Sequence, residues 1–355
     1  SWRFRVMSDL KINNITDRSG TRGPIIAGIS TIATPDSFVV PVGATEFRGG
    51  RGRGIFSGGR DAPASPTAVN NIDYITIAST GNSLDFGDLT RTKQACSSTA
   101  SATRSVIFGG YISPTYYTDI DYITISSGGG ASHFGDLVHD RGWSAACGDG
   151  IRGLVAGSWP GPTAIEFVNI ATTGDSSIFG DLSVRANGNL SPTGNQQVDG
   201  GCASPTRGIF GGGAFGVPAT TAVNLIQFVN IQTLGNSIKF GELTRLAYGT
   251  TASSNNTRGI FYGGRTPTVG DVIDYITIAT EGNATDFGNL TGDRIDCSAV
   301  ASSTRGVVAG GISPSNLDNI EFVTIATTGN AVDFGDLTRS HSQIAGSSDV
   351  HGGLG

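Results

Sequence analysis

Four cysteines, four histidines and a recurring acidic residue are the side chains of this 355-residue sequence with the types needed for metal, redox or acid–base chemistry. Cys96, Cys147, Cys202 and Cys297 would make a zinc site or disulfides only if they converged, since a bridge needs Cα atoms within about 7 Å. They recur instead, each 5 or 8 residues before an arginine (Arg104, Arg152, Arg207, Arg305) that opens the next unit of a repeat. Equivalent positions in separate repeat units stand apart, so four buried free thiols are expected, in keeping with folding in a reducing compartment. The acidic series Asp88, Asp136, Asp181, Glu242 and Asp336, with Asn289 in the fifth unit, would make a ring of carboxylates for a metal. It would equally serve structure, capping a turn or pairing with the repeated Arg104, Arg152, Arg207, Arg258 and Arg305, and the Asn favours structure. His133, His139, His341 and His351 show no metal-ligand spacing, and neither a Gly-x-Ser-x-Gly elbow nor a phosphate-binding loop occurs. No catalytic residue, no metal and no cofactor are therefore expected, and the chain reads as a non-enzyme.

The elements that carry these residues repeat six times. Phe-Gly-Asp-Leu, with small variations, begins at Phe86, Phe134, Phe179, Phe240, Phe287 and Phe334, and 14 residues earlier in every case stands an isoleucine (Ile72, Ile120, Ile165, Ile226, Ile273, Ile320) opening a strand-like run. A glycine at a fixed place between them, followed by Asn in four units, reads as a type II′ hairpin turn. An apolar triplet ending in glycines precedes each hairpin, as in Gly54-Ile55-Phe56-Ser57-Gly58-Gly59. It suits the innermost strand of a crowded ring. A less regular fourth strand follows, as in Gln94-Ala95-Cys96-Ser97-Ser98. Four strands per unit predict an all-β fold, a six-bladed β-propeller with four-stranded blades behind a short N-terminal arm.

The glycine pairs, together with Phe86, Leu89 and Arg91, Phe240, Leu243 and Arg245, and Phe334, Leu337 and Arg339, resemble the kelch family, which places an aromatic three positions before a leucine and then an arginine. Phe stands here where kelch repeats usually carry Trp. The resemblance covers residues 51-346, with blades at approximately 51-99, 100-147, 148-201, 202-253, 254-301 and 302-346. It implies a kelch-like propeller and, at fold level, no particular function. Residues 1-50 form the arm and 347-355 a tail, which either joins the first blade or lies free.

Composition fits this picture and narrows the partners. A formal charge of -6 with only 3 lysines argues against nucleic acid, which normally meets a basic face. No apolar run approaches the roughly 18 residues of a membrane span, so no membrane insertion is expected. The N-terminus also lacks the apolar stretch of a secretion signal.

The arm contains the polar run Asn13-Asn14-Ile15-Thr16-Asp17-Arg18-Ser19-Gly20, the stretch Gly23-Pro24-Ile25-Ile26-Ala27-Gly28-Ile29-Ser30 and a strand-like Ser37-Phe38-Val39-Val40-Pro41-Val42. With the Thr-Arg-Gly-Ile-Phe-Gly-Gly and Ile-Ala-Thr-Thr-Gly-Asn repeats, these resemble virion structural proteins of marine and cyanobacterial tailed phages. That resemblance implies a protein of the virion, made in the host cytoplasm, acting as a fibre, tail or capsid-decoration component. Other virion proteins would be its partners through the arm, with homo-oligomers as a further option. The arm either packs on the propeller or docks on another protein. The best binding candidates lie on the variable connections between the first two strands: Tyr111, Tyr116, Tyr117, Trp159 and Phe215. Aromatics there would anchor a protein or stack on host surface glycans, or would cover the blade ends.

Overall fold

The computed structural model describes residues 33–34, 37–38, 52–61, 68–159, 161–182, 196–215 and 221–354. The chain divides into two units, Ser1–Thr45 and Glu46–Gly355. In the first, Ala33–Thr34 pairs antiparallel with Ser37–Phe38. The rest of the arm lies outside the described residues, as do residues 185–195 of the polar run from Arg185 to Gln197 that widens the spacing between the third and fourth repeats.

The second unit is all-β. Among the described residues six antiparallel sheets built on a four-strand order follow one another, beside one smaller three-stranded sheet. In the third sheet that order is Ala145–Gly148, Arg152–Ala156, Ala164–Asn169 and Ser177–Asp181. The first strands of the sheets pack on each other in a cycle. Ser97–Ala100 lies against Ala145–Gly148, and the series continues through Gly200–Ala203, Thr251–Ser254, Ser298–Ala301 and Ala345–Ser348 back to Ser97–Ala100. These six segments are made almost wholly of Ala, Ser, Gly, Thr and Cys, the small side chains that allow six strands to converge on one axis.

This corrects the strand order read from the sequence. The apolar triplet lies second in its sheet, and the Cys-containing strand lies first, paired with the triplet that follows it: Cys147 sits opposite Leu154 and Cys202 opposite Ile209. The blade limits consequently move by one strand. The first sheet obtains its inner strand from the far end of the chain, where Ala345–Ser348 pairs with Arg53–Ser57. The tail therefore joins the first sheet and runs on into a 3-10 turn at Gly352–Leu354.

The core lies between the sheets. Ile72, Phe86 and Leu89 of the first sheet form one buried cluster with Ile107, Ile123 and Ile125 of the second, while Phe56 and Ile75 pack with Val307, Ile320 and Phe334 of the sixth. Each repeated Phe is also met edge-on by the aromatic of its own third strand, from Tyr74 and Phe86 at 6.0 Å to Phe322 and Phe334 at 6.0 Å.

The Gly-Asn segment does not make the two-residue turn expected of it. The chain turns earlier, with Ser79 N–H bonded to Thr76 O, and then runs extended against the neighbouring sheet, where Gly81 N–H bonds Phe334 O and Ser83 N–H bonds Asp336 O. The Gly of Phe-Gly-Asp is needed there. A Cβ on Gly335, whose φ is 147°, would stand 2.5 Å from the carbonyl carbon and oxygen of Gly81. The Asn after Gly81 and its equivalents has its own role, since Asn82 Oδ1 accepts the Asp336 N–H at 3.1 Å and Asn236, Asn283 and Asn330 do the same for the sheets before theirs.

The repeated arginines also join sheets, by a route other than the carboxylate pairing considered from sequence. Each lies over the aromatic of its own third strand, Arg104 at 4.4 Å from the Tyr122 ring centre and Arg305 at 4.5 Å from that of Phe322. Nη1 then donates to a main-chain oxygen of the next sheet: Arg53 to Ile125, Arg104 to Ile170, Arg152 to Ile231, Arg207 to Ile278, Arg258 to Ile325 and Arg305 to Ile77. The last of these connects the sixth sheet to the first.

Candidate functional site

Charged groups inside the fold belong largely to these seams. A carboxylate in the third strand, Asp73, Asp121, Glu166, Asp274 or Glu321, is buried in five sheets, with Gln227 in the fourth. Facing it, seven residues after the repeated Phe of the preceding sheet, stand Lys93, Arg141, Arg294 and His341, all buried. Lys93 Nζ lies 3.0 Å from Asp121 and 3.2 Å from Asp119, Arg141 Nη2 lies 2.7 Å from Glu166, and Arg294 pairs with Glu321. Asp73 and Asp274 are held instead by hydrogen bonds from the main-chain N–H and hydroxyl of Thr338 and Thr244, since a buried carboxylate needs either an ion pair or such donors.

Around Glu166 the components of a hydrolytic triad occur in the wrong order. Ser176 Oγ donates to Glu166 Oε2 at 2.5 Å and His139 Nδ1 bonds Oε1 at 2.8 Å, so serine and histidine both terminate on the acid. A nucleophile needs the histidine between itself and the acid. Burial raises the Glu166 pKa, but Arg141, Ser176 and His139 together outweigh it and hold the carboxyl below its usual range. The four cysteines are buried and unbridged. Burial pushes the Cys96 thiol up to about 11 and those of Cys202 and Cys297 to about 12, which removes the thiolate that reactivity requires.

The open chemistry lies on the face where the inner strands begin. Ala95, Trp143, Asp296 and Gln343 occupy one repeated position and all hold positive φ, between 51° and 56°, and Gly249 joins them at 65°. This left-handed geometry lets each main-chain N–H reach the preceding sheet. Trp143 donates to Ala95 O (3.0 Å), Ala95 to Gln343 O (2.9 Å), Gln343 to Asp296 O (2.8 Å) and Asp296 to Gly249 O (2.9 Å). In the fourth sheet a side chain takes over, and Gly249 N–H bonds Asp199 Oδ2 at 2.6 Å. These six residues rim an axial cavity of about 90 Å³. A second, of about 50 Å³, lies further along the inner strands beside His351, whose Nε2 is 2.7 Å from Ala100 O.

The sequence-derived candidates gather at this rim in part. The rings of Tyr111 and Tyr116 are 4.7 Å apart, and both meet Trp143, at 5.4 and 6.3 Å; Trp143 in turn meets Trp159 edge-on at 6.4 Å. All four are half-buried. Tyr117 stands apart from this group, beneath the Arg91 guanidinium at 4.6 Å. Phe215 lies in a separate three-stranded hairpin with Gln196–Gln197 and Thr221–Ala222.

Trp143, the hub of the cluster, is the residue that sequence reasoning missed. Its signal was positional, nine residues after the repeated Phe134, where Gln343 and Asp296 stand after Phe334 and Phe287. A wider cavity of about 620 Å³ opens beside it, lined among others by Tyr248, Arg265, Asp296 and Pro314. That volume falls in the range of small-molecule pockets. Burial pushes the Asp199 carboxyl up to about 7, against hydrogen bonds from Gln197 and Gly249, and raises that of Asp296 as well. No protein-family model matches this chain, and no curated protein matches it either.

Proposed function

We propose that the chain is a non-enzymatic, six-bladed kelch-like β-propeller of a tailed-phage particle, a rigid module that displays its aromatic rim to an outside partner. The observation that carries this reading is the Tyr111–Tyr116–Trp143–Trp159 cluster, four half-buried rings held on one face by a framework whose sheets are riveted to each other. Aromatic groups of this kind dominate recognition surfaces because they give large contact area at little entropic cost. The particle assignment rests on the resemblance of the arm and repeats to virion structural proteins, with the arm as the attachment to other virion proteins.

A second reading, a receptor-binding module for host surface glycans, is favoured by the same cluster, since sugar rings stack on Trp and Tyr. The test pairs purified full-length protein with bacterial envelope fractions, comparing wild type with a Tyr116→Ala/Trp159→Ala variant, while mass spectrometry follows release of sugars or peptides. Binding that falls at least tenfold in the variant, without turnover, is expected. Equal binding by both proteins, or turnover, overturns the reading. Mass spectrometric detection of the chain in purified particles tests the virion assignment separately.

A further inference from the structure

We propose that the axial rim is a seat for one pyranose residue of a neutral glycan, stacked on Trp143 and held through adjacent hydroxyls by the carboxylates of Asp199 and Asp296. The inference rests on the recognition reading above and specifies its ligand and its site.

A pyranose presents an apolar C–H face and an edge of hydroxyls that both donate and accept. The rim matches both. Trp143 borders the axial cavity and the 620 Å³ cavity alike, so a ring lying on it reaches both, and the second has room for a following sugar.

The acceptors are fixed before any ligand arrives. Asp199 takes Gln197 Nε2 at 2.7 Å on Oδ1 and Gly249 N–H at 2.6 Å on Oδ2, and Asp296 Oδ2 takes Gln343 Nε2 at 3.1 Å. Pre-oriented groups lose little entropy on binding. The two carboxylates flank one glycine: Asp296 Oδ1 stands 2.8 Å from where a Cβ on Gly249 would be, and no hydrogen bond reaches that oxygen among the described residues.

Charge selects a neutral ligand over a cation or an acidic sugar. The positive charge of Arg60 acts on the Asp296 carboxylate, and Arg265 lines the same cavity as Asp296, so the acidity of the rim is partly offset. With its carboxyl pushed up to about 7, Asp199 at neutral pH divides between forms that accept and donate, as hydroxyl partners require.

The test is calorimetric titration of the full chain, with tryptophan fluorescence in parallel, against neutral hexose oligosaccharides, a uronic-acid oligosaccharide, spermidine and calcium chloride. The variants are Trp143→Ala and Asp296→Asn. Trp143→Ala is compatible with the backbone, because Ala95 holds φ 55° at the equivalent place. Asp296→Asn preserves shape, and thermal denaturation verifies that both fold.

Binding of a neutral oligosaccharide with fluorescence change, weakened at least tenfold in each variant, is the expected result. Neutral binding that Asp296→Asn leaves unchanged overturns the seat, as does preference for the uronic acid, spermidine or calcium. If no sugar binds while envelope binding still depends on Tyr116 and Trp159, the seat falls and the recognition reading stands. If envelope binding is also indifferent to those residues, both fall.

Discussion

Arg305 of the sixth sheet donates from Nη1 to the main-chain oxygen of Ile77 in the first sheet at 3.1 Å, while its guanidinium covers the Phe322 ring. With the pairing of Ala345–Ser348 and Arg53–Ser57, it joins the two ends of the series of sheets. Arg305→Ala should destabilise the protein by about 2 kcal/mol, the scale of a hydrogen bond to a charged group plus a partly exposed cation–π contact. Arg305→Lys should cost less, since an ammonium keeps the charge and loses the planar stack. Urea titrations of the three proteins check this, and an unchanged midpoint in Arg305→Ala would remove the arginine from the account of ring closure.

The approach of Gly335 to Gly81 gives a sharper prediction. A Cβ at Gly335 would meet backbone atoms of Gly81 at 2.5 Å, and the residue holds a φ of 147°. Backbone cannot yield as a side chain can, so Gly335→Ala should cost more than about 3 kcal/mol and abolish soluble expression. Gly292→Ala provides the control: nothing lies within 4 Å of a Cβ there, and the variant should express as wild type.

The repeated residues were legible in the sequence because every sheet uses the same amino acid for the same contact. Phe86, Phe134 and their equivalents, the repeated glycines such as Gly81 and the opening arginines announce themselves by identity. The phase of the repeat was not legible. A cyclic pattern can be cut at any strand, and only the pairing of Cys147 with Leu154, instead of a residue of its preceding hairpin, shows where each sheet starts. Positions that keep a geometry while changing residue type were hidden as well. Lys93, Arg141, Arg294 and His341 share one place at the seam, and Ala95, Trp143, Asp296 and Gln343 share one backbone conformation at the rim. Of the candidate site, Tyr111, Tyr116 and Trp159 could be found by their loops, whereas Trp143 sits at the head of an inner strand.

Two groups whose pKa values are shifted by burial should act on stability in opposite directions with pH. Burial lowers the His341 pKa to about 4 from the ordinary 6.5, and neither ring nitrogen has a hydrogen-bond partner among the described residues. The unfolded chain takes up its proton below about pH 6.5 and the folded chain only near 4, so this contribution to stability is lost as pH falls between those values. For Asp199 the folded value of about 7 lies above the ordinary 3.8. Its contribution is complete below about pH 4 and is lost as pH rises through 7. His341→Gln should therefore flatten the acid side of a plot of melting temperature against pH, and Asp199→Asn the side between pH 4 and 8. Variants that retain the wild-type slopes would assign the pH dependence to other groups.

The C-terminal segment should divide into a part needed for folding and a part that trims the axis. Ala345–Ser348 supplies the inner strand of the first sheet and part of the buried cluster with Phe86 and Ile107 through Ala345. Asp349 Oδ1 then accepts the Arg53 N–H at 2.8 Å, which ends the pairing. A chain stopping after Gln343 exposes the edge of Arg53–Ser57 and removes one of six inner strands, and an uncovered edge of this kind pairs with other chains; it should aggregate. A chain stopping after Val350 keeps the strand and its Asp349 cap but loses the His351 bond to Ala100 O and the turn at Gly352–Leu354. It should remain monodisperse in size-exclusion chromatography with a melting temperature lower by several degrees, because it forfeits about 1–2 kcal/mol of hydrogen bonding and packing. Equal behaviour of the two truncations would mean that the ring does not depend on the strand borrowed from the end of the chain.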